Sequence, residues 1–176
     1  MSDMEKFDIH KEYRSFIETV DKKEARYAEL VSMDIPNSVL AETMKKENLH
    51  DILWNGMPSY SSFPLEFSNG SLGSIALTKV DNGTMEIRLY GPQPRLHIEN
   101  YKKLKAEAKE SGLELDADKQ AIDMRGYTNS IRHSSYRFKK DGETVIDVLD
   151  EGMSFCIQAG MNEKYLSLIG KIIECG

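Results

Sequence analysis

Apolar and polar residues alternate along residues 63–90, and this alternation is the clearest structural signal in the chain. Two Asn-Gly pairs, Asn69-Gly70 and Asn82-Gly83, divide the stretch into three runs. An Asn-Gly pair between alternating runs is a strong hairpin signal, because both residues tolerate a positive φ. The pattern therefore predicts three antiparallel strands joined in a meander.

The alternation also predicts the length of the second loop. A two-residue loop would place Leu77 opposite Arg88, which mixes apolar and polar residues on each face of the sheet. A three-residue loop over 81–83 places Leu77 opposite Ile87 and gives Gly83 the left-handed bulge position. We therefore predict the three-residue loop and a positive φ at Gly83.

The same count at the first turn, with a loop over 68–70, pairs Phe63 with Ile75 and Leu65 with Gly73. A one-residue slip would move the whole apolar set to the other face, so burial fixes this register. The face predicted to be buried consists of Phe63, Leu65, Phe67, Ile75, Leu77, Met85, Ile87 and Leu89. The opposite face is polar and carries Glu66, Ser74, Thr78, Glu86 and Arg88.

Helical spacing of apolar residues predicts the layer that covers the buried face. A long helix is expected over 3–33, capped by Ser2 or Asp3, with its apolar stripe interrupted at 21–24. Further helices are expected over 36–48, over 96–111 and after a cap at Asn162. The connection over 48–64 is predicted to be irregular, with one helical turn at 50–54.

Trp54 is the single tryptophan and precedes this connection. A lone tryptophan before a loop is usually a core residue under that loop, and an exposed interface anchor is the alternative. We therefore predict a buried Trp54.

The second half of the chain predicts more strands. Residues 113–115 and 121–125 are short strand-like pieces, and the Asp141-Gly142 pair predicts a hairpin over 135–149. Two- and three-residue loops give similar pairings there, so the register of this hairpin stays open. Residues 153–159 predict the last strand.

This order of elements predicts a single α+β domain over 1–176, with a helical N-terminal segment (1–50) and a sheet-containing body (63–176). The sheet is expected to be mainly antiparallel, with a central three-stranded meander and a C-terminal hairpin. N-terminal, middle and C-terminal helices are expected to cover it. The order resembles that of small protein-binding folds such as the type III secretion chaperones, in element order alone and without a shared motif.

Composition narrows the class of protein. With 40% hydrophobic and 30% charged residues the chain is of globular type, and its formal net charge of -6 disfavours general affinity for nucleic acid. Two isolated cysteines, Cys156 and Cys175, fit a reducing compartment better than a disulfide scaffold. The charged N-terminus and the lack of a long apolar run predict a cytoplasmic protein without a secretory signal or membrane span.

The sequence carries no catalytic signature. Its four histidines are isolated from one another, and His97-Ile98-Glu99 lacks the Cys-x-x-Cys that a zinc deaminase needs. No Gly-x-Ser-x-Gly elbow, phosphate loop or dinucleotide fingerprint is present. We therefore predict no metal and no cofactor, and we favour a protein that is not an enzyme.

One charge pattern stands above the background. Residues 124–140 contain only basic charges, whereas residues 141–151 contain only acidic ones. One interpretation is a ladder of opposite charges across the hairpin, in which each pair contributes about 0.2–1 kcal/mol. The other is a docking surface for a charged partner. The candidate docking residues are Arg125, Tyr127, Arg132, His133, Tyr136, Arg137, Lys139 and Lys140.

Three functions follow from these observations. The first is a non-catalytic intracellular module that binds another protein, as immunity proteins, secretion chaperones and adaptors do. The second is binding of nucleic acid or nucleotide through the basic segment 124–140. The third is an enzyme of unfamiliar type that uses His133 with Ser134 or Ser135. A homodimer formed through the N-terminal helix is a further alternative.

Overall fold

The structure is a computed structural model that describes residues 5–90, 98–117, 134–150 and 154–174. The described residues form five helices: α1 (Ile9–Val31), α2 (Asn37–Lys46), α3 (His50–Asn55), α4 (Ile98–Glu110) and α5 (Leu166–Ile173). They also form eight strands: β1 (Glu5–Lys6), β2 (Ser59–Glu66), β3 (Leu72–Lys79), β4 (Thr84–Tyr90), β5 (Glu114–Ala117), β6 (Ser134–Lys140), β7 (Glu143–Asp150) and β8 (Ser154–Gly160). The strand predicted over 121–125 lies outside the described residues.

All eight strands belong to one sheet, in the order β1-β2-β3-β4-β8-β7-β6-β5. Every neighbouring pair is antiparallel except β1 and β2, which are parallel. The predicted α+β class with a mainly antiparallel sheet is confirmed, and the sheet is larger than the prediction. It is larger because β8 lies between β4 and β7 and so joins the meander to the C-terminal hairpin.

Helices α1, α4 and α5 cover one face of this sheet. Apolar side chains of these helices and alternate residues of β2–β8 form a single buried cluster. The helical contribution to that cluster is Ile9, Tyr13, Phe16, Val20, Leu104, Ala108, Leu166, Leu168, Ile169, Ile172 and Ile173. Helices α2 and α3 pack instead against the C-terminal end of α1, around Leu30, Met44 and Leu49.

The meander has the predicted register. Leu77 pairs with Ile87, and Leu65 pairs with Gly73. Both loops have three residues, since Phe67 N–H donates to the carbonyl of Ser71 at 2.9 Å and Val80 N–H donates to the carbonyl of Thr84 at 3.0 Å. Seven of the eight residues predicted to be buried are core residues: Leu65, Phe67, Ile75, Leu77, Met85, Ile87 and Leu89.

Phe63 is the exception, and its predicted burial is wrong. Its side chain is 77% exposed. The register of β2 against β3 shifts between Ser62 and Leu65, so Ser62 rather than Phe63 pairs with Ile75. The extra residue in β2 removes Phe63 from the alternation and leaves it outside the core.

The predicted left-handed conformation of Gly83 is also wrong. Its φ is not among the positive φ values of the described glycines, which include +85° at Gly70 in the first loop. In the second loop the Asp81 carboxylate accepts a hydrogen bond from Gly83 N–H at 2.9 Å. This side chain closes the turn locally, so the loop keeps its predicted length without a left-handed glycine.

Helix α1 begins later than predicted. Residues 5–6 pair with β2, and Asp8 caps the helix by accepting a hydrogen bond from His10 N–H at 3.1 Å. The predicted caps, Ser2 and Asp3, lie outside the described residues. In the described residues, a short parallel strand over 5–6 therefore stands where the sequence predicted helix.

The interruption of the α1 stripe at 21–24 marks a change in what the helix contacts. Lys23 Nζ lies 2.8 Å from Asp51 Oδ2 of α3 and 2.7 Å from the carbonyl oxygen of Ser59 in β2. Ser59 N–H donates to the same Asp51 oxygen at 2.6 Å. Burial opposes ionisation of Asp51, but the hydrogen bonds from Lys23 and Ser59 outweigh it and lower the pKa of Asp51. This polar cluster fixes α3 and the start of β2 against α1.

A single charged residue is buried in the described core. Glu12 of α1 is 1% exposed and accepts a hydrogen bond from the hydroxyl of Tyr60 in β2 at 2.9 Å. Burial raises the pKa of Glu12, and the hydrogen bond from Tyr60 offsets only part of that rise. Ionised Glu12 therefore disfavours the folded state.

We expect replacement of the central apolar side chain Ile87 by alanine to lower the free energy of unfolding by about 2–5 kcal/mol, because it opens a cavity between the helices and the sheet. Urea denaturation followed by circular dichroism measures this change. The control is Thr78→Ala on the opposite face, which should change the urea midpoint little. An unchanged midpoint in Ile87→Ala would contradict the assignment of the buried face.

A second prediction concerns pH. The folded-state pKa of Glu12 lies above its unfolded value, so its stabilising contribution is complete below the ordinary glutamate pKa of about 4.3 and is lost as pH rises through the raised value. Glu12→Gln removes the charge and keeps an acceptor for Tyr60. We expect the urea midpoint of this variant to rise relative to the wild type between pH 4 and pH 8. The control is the exposed variant Glu18→Gln, whose urea midpoint should follow that of the wild type across this pH range. If the midpoint of Glu12→Gln also stays at a constant difference from the wild type as pH changes, the prediction is wrong.

Candidate docking surface on the open face of the sheet

The face of the sheet opposite α1, α4 and α5 is not covered by any described helix. Alternate residues of each strand point to this open face, because the others point into the core. One row of paired residues crosses five strands there, from β4 to β5. In order it contains Glu86, Gln158, Asp147, Arg137 and Asp116.

A second, less polar band crosses the open face next to that row. Arg88 of β4 pairs with Cys156 of β8, which pairs with Leu149 of β7. Toward β3, Tyr90 of β4 pairs with Ser74. Leu72 is two residues before Ser74 in β3 and so points to the same face. Leu72, Tyr90 and Leu149 are exposed although they are large and apolar. We call Leu72, Tyr90, Arg88, Cys156 and Leu149 the open-face band.

Polar contacts fix the centre of this band. The Glu86 carboxylate accepts a hydrogen bond from the Arg88 guanidinium at 3.1 Å and another from the Cys156 thiol at 3.1 Å. The thiol is buried between its neighbours. A buried thiol that donates to a carboxylate is a packing group and a poor nucleophile, because the nearby negative charge disfavours the thiolate. The centre of the band is thus suited to contact rather than to covalent chemistry.

The structure describes half of the docking residues predicted from the sequence. Arg137, Lys139 and Lys140 lie on β6, and Arg137 and Lys140 are exposed. Tyr136 also lies on β6, but it is only 6% exposed and belongs to the buried cluster. It points toward the helices because it alternates with Arg137, so it is a core residue and not part of an exposed surface. The other four residues, Arg125, Tyr127, Arg132 and His133, lie outside the described residues.

The charge ladder inferred from the sequence is present in the described hairpin. Arg137 pairs directly with Asp147 on one side and with Asp116 on the other. Lys139 Nζ lies 3.4 Å from Asp116 Oδ2, and Lys140 pairs with Glu143. The loop at Asp141 and Gly142 has two residues, which settles the register that the sequence left open. The described basic residues of β6 therefore lie beside acidic residues of neighbouring strands, and Lys139 forms an ion pair with one of them.

Sequence reasoning missed the apolar members of the open-face band. Leu72 and Tyr90 stand at the ends of their strands, and Leu149 stands in a hairpin whose register was open. The signal that could have identified them is their position in the strand alternation (their parity). Each is an apolar residue at a position whose side chain points to the polar face of the sheet. For Leu72 and Tyr90 the predicted register of the meander already assigned the face, whereas for Leu149 the face became clear only once the pairing of β7 with β8 was known.

The predicted burial of Trp54 is wrong. The Trp54 side chain at the end of α3 is 69% exposed, and the Lys45 ammonium of α2 lies 5.6 Å from the centre of its ring. The buried contacts between α1, α2 and α3 are made by Leu30, Met44 and Leu49, with Leu40, Ile52 and Leu53 packed against them, and the indole is not part of this cluster. Trp54 is therefore the exposed alternative that the sequence left open.

The described part of the chain shows no assembled metal site, since no three His, Cys, Asp or Glu side chains there could hold an ion together. Nor is any described helix both long and apolar enough to cross a membrane. Comparison with protein-family models, curated proteins and solved structures finds no match to this chain. The open face must therefore be interpreted from its own geometry and chemistry.

The exposure of Trp54 gives a direct spectroscopic prediction. Because it is the only tryptophan, all indole fluorescence reports on this position. We expect red-shifted emission in the native protein and acrylamide quenching close to that of the urea-unfolded chain. Blue-shifted emission that resists quenching until the protein unfolds would show that the indole is covered.

Proposed function

We propose that the protein is a non-catalytic, cytoplasmic module that binds another protein through the open face of its sheet. The observation that supports this function is the open-face band, in which exposed Leu72, Tyr90 and Leu149 flank a hydrogen-bonded Glu86–Arg88–Cys156 centre. Tyrosine and arginine are the residue types that often contribute most to binding energy at interfaces. The cytoplasmic location is part of the proposal and rests on the two isolated cysteines.

The form of the surface favours a protein partner over a small molecule. The band extends over β3, β4, β8 and β7, and neighbouring strands lie about 4.8 Å apart. Its apolar side chains therefore spread over a broad, gently twisted surface rather than converge on a point. The charged row from Glu86 to Asp116 runs beside it as a polar border. Exposed apolar and aromatic side chains bordered by polar ones are common in protein interfaces.

The charge of the chain favours a partner that is not a second copy. Two copies would each carry a formal charge of -6, and the repulsion between them opposes face-to-face pairing. A partner with net positive charge would be attracted instead, and its approach would be accelerated at low salt. We therefore propose a net-basic protein as the occupant of the open face.

Nucleic acid is less well supported as the ligand. The described basic residues of the segment 124–140 are Arg137, Lys139 and Lys140, and each pairs with or lies next to a carboxylate. Phosphate binding needs cations that are not already neutralised by the protein. The cross-strand ladder thus accounts for the described part of the charge pattern that suggested nucleic acid.

The proposal is tested by removing exposed apolar side chains of the open-face band while leaving the buried core unchanged. The test variant carries Tyr90→Ser and Leu149→Ser, and the control carries Val31→Ser and Met33→Ser, which are also exposed but lie at the end of α1 and just after it. Proteins cross-linked to the wild type in lysate are identified by mass spectrometry, purified and titrated calorimetrically. We expect a net-basic protein that binds the wild type and the control equally. Its affinity for the test variant should fall by roughly tenfold or more.

Three results would contradict the proposal. The first is a partner that binds the test variant as tightly as the wild type. The second is a wild-type dimer in sedimentation that the test variant loses, since a second copy would then occupy the face. The third is a salt-sensitive complex with a labelled oligonucleotide that Arg137→Glu abolishes. Circular dichroism and urea midpoints verify that both variants remain folded.

A further inference from the structure

A polar bowl lies at the end of the open face where β4, β7 and β8 meet the turn into α5. The bowl has a volume of about 440 Å³, which is within the range of about 300–1,000 Å³ that is usual for small-molecule sites. The side chains around it that can form hydrogen bonds are Thr84, Thr144, Asp147, Gln158, Asn162 and Tyr165. None of the docking variants described above alters them, although Asp147 and Gln158 also belong to the charged row beside the open-face band.

A β-bulge shapes one wall of the bowl. Lys139 pairs with Thr144, whereas Phe138 pairs with Ile146, so Val145 is an extra residue in β7. Thr144 and Val145 both border the bowl at this bulge, and Val145 also packs against the buried cluster. β-Bulges occur often beside functional sites.

A glycine and a fixed amide shape the opposite wall. A Cβ atom at Gly160 would lie 2.8 Å from Asn162 Nδ2, so a side chain at position 160 would displace this amide. Asn162 Oδ1 accepts a hydrogen bond from Lys164 N–H at 2.9 Å, which leaves Nδ2 as the group that faces Gly160. Met161 N–H donates to the carbonyl of Gly83 at 2.8 Å and holds the turn against β4. The bowl therefore has a donor whose position is set before any ligand arrives.

The chemistry of the walls selects a class of ligand. Amide and hydroxyl groups offer both donors and acceptors, and Asp147 adds a strong acceptor. Asp147 is the charged side chain among the residues that border the bowl, so its negative charge disfavours an anionic ligand. A neutral ligand with several neighbouring hydroxyl groups satisfies donors and acceptors together, since each hydroxyl both donates and accepts. We propose that the bowl binds a neutral saccharide unit.

The test uses the folded full-length protein and simple sugars as probes. Glucose, galactose, mannose and N-acetylglucosamine are each titrated at millimolar concentrations into ¹⁵N-labelled protein, and amide shifts are followed by NMR. We expect at least one sugar to cause saturable shifts confined to the amides of the bowl, including Thr144, Gln158 and Asn162. Asp147→Asn should weaken this binding by roughly tenfold, because a hydrogen bond to a charged acceptor is lost.

A matched control comes from the same row of the sheet. Asp116 also pairs with Arg137 but does not line the bowl, so Asp116→Asn removes an equivalent charge elsewhere. It should leave sugar binding unchanged, as should the Tyr90 and Leu149 double variant. The proposal is overturned if no sugar gives saturable shifts or if Asp116→Asn weakens binding as much as Asp147→Asn. It is equally overturned if glucose 6-phosphate binds the same amides more tightly than glucose. None of these results depends on whether the open-face band binds a protein.

Discussion

A continuous row of buried side chains across the sheet is the constraint on which the rest of the fold depends. Leu77, Ile87, Ile157, Val148 and Tyr136 stand opposite one another in neighbouring strands from β3 to β6. Strand β8 supplies Ile157 at the centre, where the meander meets the C-terminal hairpin. Burial of this row requires a cover, and α1, α4 and α5, which are distant in sequence, therefore pack on the same face of the sheet.

The polarity of the other face follows from that arrangement. Helices α1, α4 and α5 cover one face, so every second residue of each strand points to the uncovered face. Most of these residues are polar. The exposed apolar residues of the open-face band depart from this rule, and departures from a consistent pattern tend to mark functional positions. Protein docking would use the broad band and saccharide binding the concave bowl, and the two sites meet at Asp147 and Gln158 of the charged row.

The sequence specified local pairing well and long-range pairing poorly. The register of Leu77 with Ile87 was predictable because a period of two leaves one acceptable loop length. The exposure of Phe63 was not predictable, because one inserted residue shifts the pairing of the residues before it and leaves no compositional trace. The sequence also did not predict that β8 lies between β4 and β7. The open-face band depends on this position, because Cys156 of β8 links Arg88 to Leu149. Of the candidate docking residues, Arg137 is exposed on the open face, whereas Tyr136 could not be assigned to a face while the hairpin register was open.

The polar cluster of Lys23, Asp51 and Ser59 has a consequence for self-association. Strand β1 covers β2 only at Leu65 and Glu66, so in the described chain the start of β2 forms an outer strand of the sheet. Such a strand is a template on which another chain can add and begin an aggregate. At Ser59 both backbone groups are already bonded to side chains, the N–H to Asp51 and the carbonyl to Lys23. One ion pair thus occupies the hydrogen bonds that an incoming strand would need, and it protects the sheet from growing at this end.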